Sequence, residues 1–545
     1  MKKIILYSTA GFVSLMLLFF VSCNSLDLAP TNQFTDFNYW TSADKASSVL
    51  SMAYSQMFGA NYYFANERLS DNMYEDRGTS DEKIFTAGQA DPALGRFANE
   101  WKDCYSGIKT CHTFLENVDR VPIMDEALKT RMKAEARFIR AFLFFRLTSQ
   151  YGDVPLFDHN LTLQESTDIA RSSKADVLNF VRTELNDIVN ILPTKQQYAA
   201  ADNGRVTKGA AMMLLARTYL YENDWTNVAS ICEKIMNGDY GHYELYPDYE
   251  KLFLPEGEYN DEVILDIGYA PNLRTWSEYY DAIPLTVGGR ISSLTPTQEL
   301  VEDYVMRNGK GIKESGSGYN EDDPYVNRDP RFGLTIVYHG YQWKSLDANG
   351  KTVVSTIYIK PGSSVAAGLQ KPTLDEYAGP GQNSTATGYY LRKWYDPTAP
   401  QGMAAGLNLI LMRYADVLLM YAEAKNELGQ MNADIWNKTI RAIRVRAGFT
   451  DASALDYPAS DLRNIIRRER RCELALEGTR LFDIRRWKTI ETLMNGTPHG
   501  AKFAANNTGY IQLNARKFDP NRNYLFAVPQ SQRDIDKNLT QNPGW

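Results

Sequence analysis

Apolar residues recur every three to four positions along most of this chain, a spacing that predicts helices. Ala43–Phe58 and Phe97–Val118 show it, the second with Trp101, Tyr105, Ile108 and Phe114–Leu115 near one face. Arg131–Tyr151 carries two stripes: Ala134, Phe138, Ala141, Phe142 and Phe145 on one, Ile139, Leu143 and Leu147 on the other. A helix apolar on nearly all sides belongs in the interior, between neighbours on both faces. Gly152 offers a left-handed C-terminal residue and Pro155 blocks continuation, so YGDVP is a stop. Lys174–Leu192 ends at Pro193.

Val206–Tyr221 and Trp225–Met236 join across ENDW, with the small/large alternation of a tetratricopeptide-like helical hairpin. The outline returns at Tyr414–Leu428 and Ala433–Ala447, and Asp461–Glu477 and Arg480–Leu493 complete the helical set. Between about 240 and 400 the texture changes to Gly, Pro, Asn and Tyr, with a short helix at Thr297–Arg307 and strand-like pieces at Leu334–Tyr338 and Val353–Ile359. The expected fold is therefore mainly α: helical hairpins scaffolding an irregular, loop-rich lobe with short strands. Expected segments are a leader (1–22), a tether (23–40), an N-terminal helical part (41–240), the irregular lobe (241–405) and a C-terminal helical part with its tail (406–545).

The leader reading comes from Lys2 and Lys3, the apolar run Ile4–Val21, and Val21-Ser22-Cys23. A thiol directly after a small residue at that border is the pattern of lipidation, here at Cys23, although Phe20 is bulkier than the usual residue three before it. Removing Lys2 and Lys3 takes the 59 basic residues to 57 against 66 acidic ones, a net charge of −9. An acidic body argues against nucleic acid, which needs phosphate neutralisation. Four further cysteines remain, Cys104, Cys111, Cys232 and Cys472. The first two sit about 10.5 Å apart along one helix, too far for a disulfide. With no CxxC and five scattered histidines, zinc and iron–sulfur sites are not expected.

Charged residues inside apolar helices raise the question of catalysis. Glu135, Arg137, Arg140 and Arg146 lie within the Arg131–Tyr151 run, and Glu469, Glu473 and Glu477 share one face at i, i+4 and i+8. Paired carboxylates can hydrolyse glycosides. However, Arg467, Arg468, Arg470, Arg471, Arg480, Arg485 and Arg486 surround this set, and neighbouring cations lower a carboxyl pKa, the wrong direction for a general acid. Both constellations are expected to be ion-paired framework, and no GxSxG, HExxH or phosphate loop is present. The loop EDDPYVNRD (321–329) is read as a solvated turn rather than a calcium site, because EF-hand spacing is absent. No cofactor or metal is expected.

Seven stretches, in order, resemble the SusD/RagB family of outer-membrane nutrient-binding lipoproteins of Bacteroidetes. They are KAEARFIRAFLFFRLTSQYGDVPL (133–156), RVTKGAAMMLLARTYLYENDW (205–225), PTQELVEDYVMRNG (296–309), YVNRDPRF (325–332), LMRYADVLLMYAEAKNELG (411–429), RRERRCELALEGTRLFDIRRW (467–487) and the terminal LTQNPGW. The terminal Trp545 stands where the pattern has Tyr. The resemblance implies a non-enzymatic surface lipoprotein. Such a protein lids a SusC-type TonB-dependent outer-membrane transporter and hands it oligomers, usually glycans and sometimes peptides. Acidic residues soon after the lipidated Cys usually accompany surface export; here only Asp27 lies nearby.

Tyrosine outnumbers phenylalanine, 34 to 23, and rings with a polar tip suit a half-wet sugar-binding surface. Two loops combine such rings with polar residues. LSDNMYEDRG (69–78) offers Asp71, Asn72, Tyr74 and Arg77, placed before a long helix as ligand loops are in the family. NLRTWSEYYDAIPL (272–285) offers Trp276, Tyr279 and Tyr280. The alternative is that these rings plug the lobe's own core. The function expected is glycan capture and delivery; the rivals are an oligopeptide receptor of the same fold, an endo-acting glycosidase and a structural assembly protein.

Overall fold

The computed structural model describes residues 39–75, 79–292, 294–347, 349–397, 404–503 and 509–545. Cys23 and the Ile4–Val21 run lie outside them. Among the described residues, no helix is long and apolar enough to cross a membrane.

Helices run antiparallel to their chain neighbours in stacked pairs. Gly95–Asn117 packs on Glu126–Tyr151, which packs in turn on Lys174–Ile188; Trp225–Met236 lies between Lys208–Leu220 and Tyr414–Glu427. Asp125 caps the Glu126–Tyr151 helix by accepting from the Leu128 amide, and Gly152 ends it at φ +72°. The positive φ is what favours glycine here, since a Cβ would meet only the movable end of the Leu525 side chain, at 2.9 Å.

The charges inside this helix are paired across its neighbours. Arg146 Nε donates to Glu100 at 2.7 Å, Arg140 to Glu184 at 2.5 Å and Arg137 to Glu184 at 2.7 Å. Glu135 accepts from Tyr54 at 2.8 Å and Arg205 at 2.9 Å. They are framework, each tying one hairpin to the next.

Some expected helices break where the backbone leaves the helical region. Ala433–Ala447 is two helices, Ala433–Lys438 and Ile440–Ala447, parted at Thr439, whose hydroxyl donates to Ile435 O at 2.7 Å. Arg480–Leu493 divides at Lys488, which sits at φ +57°. Asp461–Glu477 shortens to Leu462–Glu473, with Leu476 and Gly478 both at positive φ beyond it.

Between the helical parts lie short antiparallel pairs: Val263–Ile267 with Leu409–Arg413, Met73–Glu75 with Leu294–Pro296, and the hairpin Tyr341–Leu346 with Thr352–Ile357. Of the expected strands, Val353–Ile359 falls on this hairpin, and Leu334–Tyr338 contracts to Ile336–Val337. A large cluster of aliphatic and Phe side chains fills the helical stack. A second, richer in Trp and Tyr, fills the irregular lobe and takes in Ala60, Tyr63 and Phe64. Cys104, Cys111, Cys232 and Cys472 are buried free thiols.

Candidate functional site

The Ala60–Arg68 helix connects the two loops singled out in the sequence. The 69–75 segment leaves its C-terminus, and the 272–285 segment packs along its side, with the Trp276 ring 5.4 Å from that of Phe64. The loops are neighbours, yet most of the named side chains face inward.

Asp71 is buried between Arg471 and Arg480, at 2.9 and 2.7 Å. Burial alone would raise its carboxyl, but those two guanidinium groups hold it well below the usual carboxylate range. Buried Asn72 donates to Glu67 at 2.9 Å and accepts from Arg471 at 2.9 Å. Glu67, walled off from water, rises to about 7 through burial, against the hydrogen bonds from Asn72 and the Gly478 amide. Trp276 is buried with its indole donating to Leu407 O at 2.8 Å, and Tyr279 is buried with its hydroxyl unpartnered. These four side chains hold the loops in place and present no open face. Arg77 lies outside the described residues.

Tyr74 and Tyr280 sit closer to the surface. Tyr74, itself buried with its hydroxyl accepting from the Asn514 amide at 3.1 Å, lines a cleft of about 350 Å³. Arg68, Glu75, Glu82, Lys83 and Arg516 give this cleft its charge. Arg68 pairs with Glu75 at 3.2 Å and Glu82 at 3.5 Å. Burial works against the Arg68 charge, but Glu82 and Glu75, with Glu278 adding, more than compensate and raise its pKa. Glu278 belongs to the second loop, which does not itself line the cleft.

Tyr280, half-buried, begins a row of rings that no single stretch of sequence displays. It meets Tyr279 edge-on at 5.5 Å; Tyr279 lies 6.2 Å from Tyr395, and Tyr395 4.6 Å from Trp343. The row continues through Tyr341 to Tyr338 and Tyr325, the last two stacked at 4.4 Å. Tyr280, Tyr395, Tyr341, Tyr338 and Tyr325 are only partly buried, whereas Tyr279 and Trp343 are fully buried. Arg392 braces the row from below, 4.8 Å from both the Trp343 and Tyr395 rings. The sequence reading named only Tyr280 of these rings as a site residue; Tyr325, Tyr338, Tyr341 and Tyr395 come from segments up to 115 residues away and carry no local signal for a site.

The carboxylate series is buried in ion pairs. Glu473 pairs with Arg331, Arg413 and Arg446, and Glu469 with Arg331 and Arg444. Burial would raise Glu473, but Arg446, Arg413 and Arg331 overcome it and hold the carboxyl well below its usual range. Glu477 pairs with Lys393 and Arg413. In the 321–329 loop, Asp329 pairs with Arg331 and Glu321 with Lys502. Among the described residues, the group arranged to share a cation is instead exposed His242, Glu244 and Asp261.

Residues 261–545 match the SusD family, and residues 26–220 match a family described as starch-binding, associating with the outer membrane. The chain is 25% identical to SusD-like protein P2 of Formosa agariphila over 549 residues, 97% of this chain and 98% of that one. It is also 26% identical to the starch-binding protein SusD of Bacteroides thetaiotaomicron over 157 residues, 28% of this chain and 26% of that one. The crystal structure of a SusD-like carbohydrate binding protein from Bacteroides fragilis superposes with a TM-score of 0.80 at 29% identity, over 92% of this chain and 100% of its own. A family match over more than half the chain, on a fold shared over 92% of it with a solved member, means that this protein belongs to the SusD family.

Proposed function

We propose that this protein is a lipid-anchored outer-membrane receptor that binds glycan oligomers and passes them to a SusC-type TonB-dependent transporter without cleaving them. The row of half-open tyrosines from Tyr280 to Tyr325 carries the reading. Sugar rings present C–H faces that stack on aromatic faces and hydroxyls that bond to rim polar groups, and a wet aromatic ledge supplies both. The charged cleft around Arg68 offers directional polar groups elsewhere on the surface. Relatives named for starch and carbohydrate binding support the same ligand class. Outer-membrane placement rests on the matched family's description and on the expected lipidation of Cys23.

A binding screen of the chain from Asn24 onward, against glycan oligomers and oligopeptides side by side, tests the reading. Glycan binding weakened by Tyr280→Ala supports it; peptide binding alone overturns it. Glu473→Gln and Glu477→Gln are expected to leave glycan binding intact in whatever fraction folds. Release of new reducing ends by the purified protein would replace the receptor with a hydrolase.

A further inference from the structure

A second concave surface lies away from the tyrosine row, between the Gly95–Asn117 helix, the 155–169 segment and the Gln530–Ile535 helix. It encloses about 550 Å³, the size of a small-molecule site. Its floor is preformed: Tyr105 and Phe157 stack at 5.8 Å with planes 17° apart, Trp101 lies 5.1 Å from Tyr105, and the Tyr105 hydroxyl is held by Pro155 O at 2.9 Å. The walls mix polar and aliphatic side chains, and two of the aliphatic ones, Leu163 and Ile535, stand 83% and 62% exposed.

Its polar groups lean one way. Lys102 and Lys109, seven residues apart on one helix face, both line the cavity, and among the described residues neither has a carboxylate within ion-pairing distance. The Trp101 indole N–H likewise has no acceptor among the described residues. The lining carboxylate, Asp536, already accepts from the Ile169 and Asn538 amides at 3.0 and 2.9 Å. A chain with 66 acidic and 59 basic residues has thus left two lysines unpaired beside an open apolar floor.

We infer that this cavity binds an amphiphilic anion, an apolar chain carrying one carboxylate or phosphate head, with the chain on the Trp101–Tyr105–Phe157 floor and the head between Lys102 and Lys109. The head chemistry is shared by a free long-chain acid and by an acidic bilayer lipid. This inference stands apart from the glycan reading and uses none of its residues.

The test uses the chain from Asn24 onward, which holds every residue of both hydrophobic cores. Calorimetric titration with dodecanoate below its micelle concentration is compared with dodecyltrimethylammonium, which has the same tail and the opposite head. Dodecanoate is expected to bind at least tenfold more tightly. Lys102→Gln with Lys109→Gln is expected to abolish that preference, and Leu163→Asp with Ile535→Asp to weaken both probes, all without changing the melting temperature or glycan affinity. Cosedimentation with phosphatidylglycerol but not phosphatidylcholine vesicles, lost in the lysine variant, assigns the head to a lipid; dodecanoate binding without vesicle binding assigns it to a free acid. Equal affinity for the two dodecyl probes, an unchanged preference in the lysine variant, or no binding to dodecanoate and phosphatidylglycerol alike overturns the inference.

Discussion

The same residue types build two unlike regions of this molecule. Around Glu473, three arginines and their carboxylates are sealed from water, and every charge answers to another across elements far apart in sequence. Around Arg68, an arginine and two glutamates line a cleft, with the Arg68 side chain about a fifth exposed. Rings divide the same way, since Trp276 is buried and hydrogen-bonded while Tyr280, four residues later, is only partly buried. Residue type sets what a group can do; burial decides whether it holds the fold or meets a ligand.

Acid should separate the two regions most sharply. Asp71, Asp416 and Glu473 are all held below their ordinary carboxyl values by arginines, against the opposing effect of burial. Their stabilisation is present above the unfolded carboxyl range, near pH 4–4.5, and is lost as pH falls through the folded values. The expected result is a steep fall in unfolding free energy below about pH 4.5, on the order of several kcal/mol in total, read as a falling melting temperature. Glu67 has the opposite sign: raised to about 7, it removes stability as pH climbs from about 4.5 to 7. Glu67→Gln should flatten that part of the stability profile and leave the acid limb unchanged.

Single substitutions come next. Glu473→Ala takes one carboxylate away from Arg331, Arg413 and Arg446 together and leaves a buried positive charge uncompensated, which is expected to cost about 3–5 kcal/mol in urea unfolding. Trp276→Ala removes a buried indole and its hydrogen bond, with a similar expected loss of about 3–5 kcal/mol. If Trp276→Ala left the melting temperature in place and changed only ligand affinity, the division between buried and open rings would be drawn in the wrong place.

The smallest expected effects lie on the open row. Tyr280→Ala and Tyr395→Ala should each weaken glycan binding by about 1 kcal/mol, roughly fivefold, while stability moves by about 1 kcal/mol or less. Calorimetry for affinity and thermal unfolding for stability, run on the same samples, check both halves of that statement.

Much of the scaffold could be read directly from the sequence. Two apolar stripes on Arg131–Tyr151 announced an interior helix, YGDVP announced its stop, and arginines amid carboxylates announced ion pairs, because 3.6-residue periodicity and charge pairing are local physics. Helix breaks at Thr439 and Lys488 were not legible, since neither Gly nor Pro marks them and backbone conformation there follows from packing. The proposed binding surface was legible only in kind. An excess of tyrosine says that wet rings exist, not which ones are wet.

Sequence alone therefore determined the helical hairpins, the acidic body and the family, since each rests on pattern within a stretch or on stretches kept in order. Tertiary structure decided which side of Trp276, Asp71 and Asn72 meets protein and which tyrosines share a ledge. Burial is a property of neighbours, and the neighbours of Tyr280 that matter, Tyr395, Tyr341 and Tyr325, reach it only when distant loops close over one core.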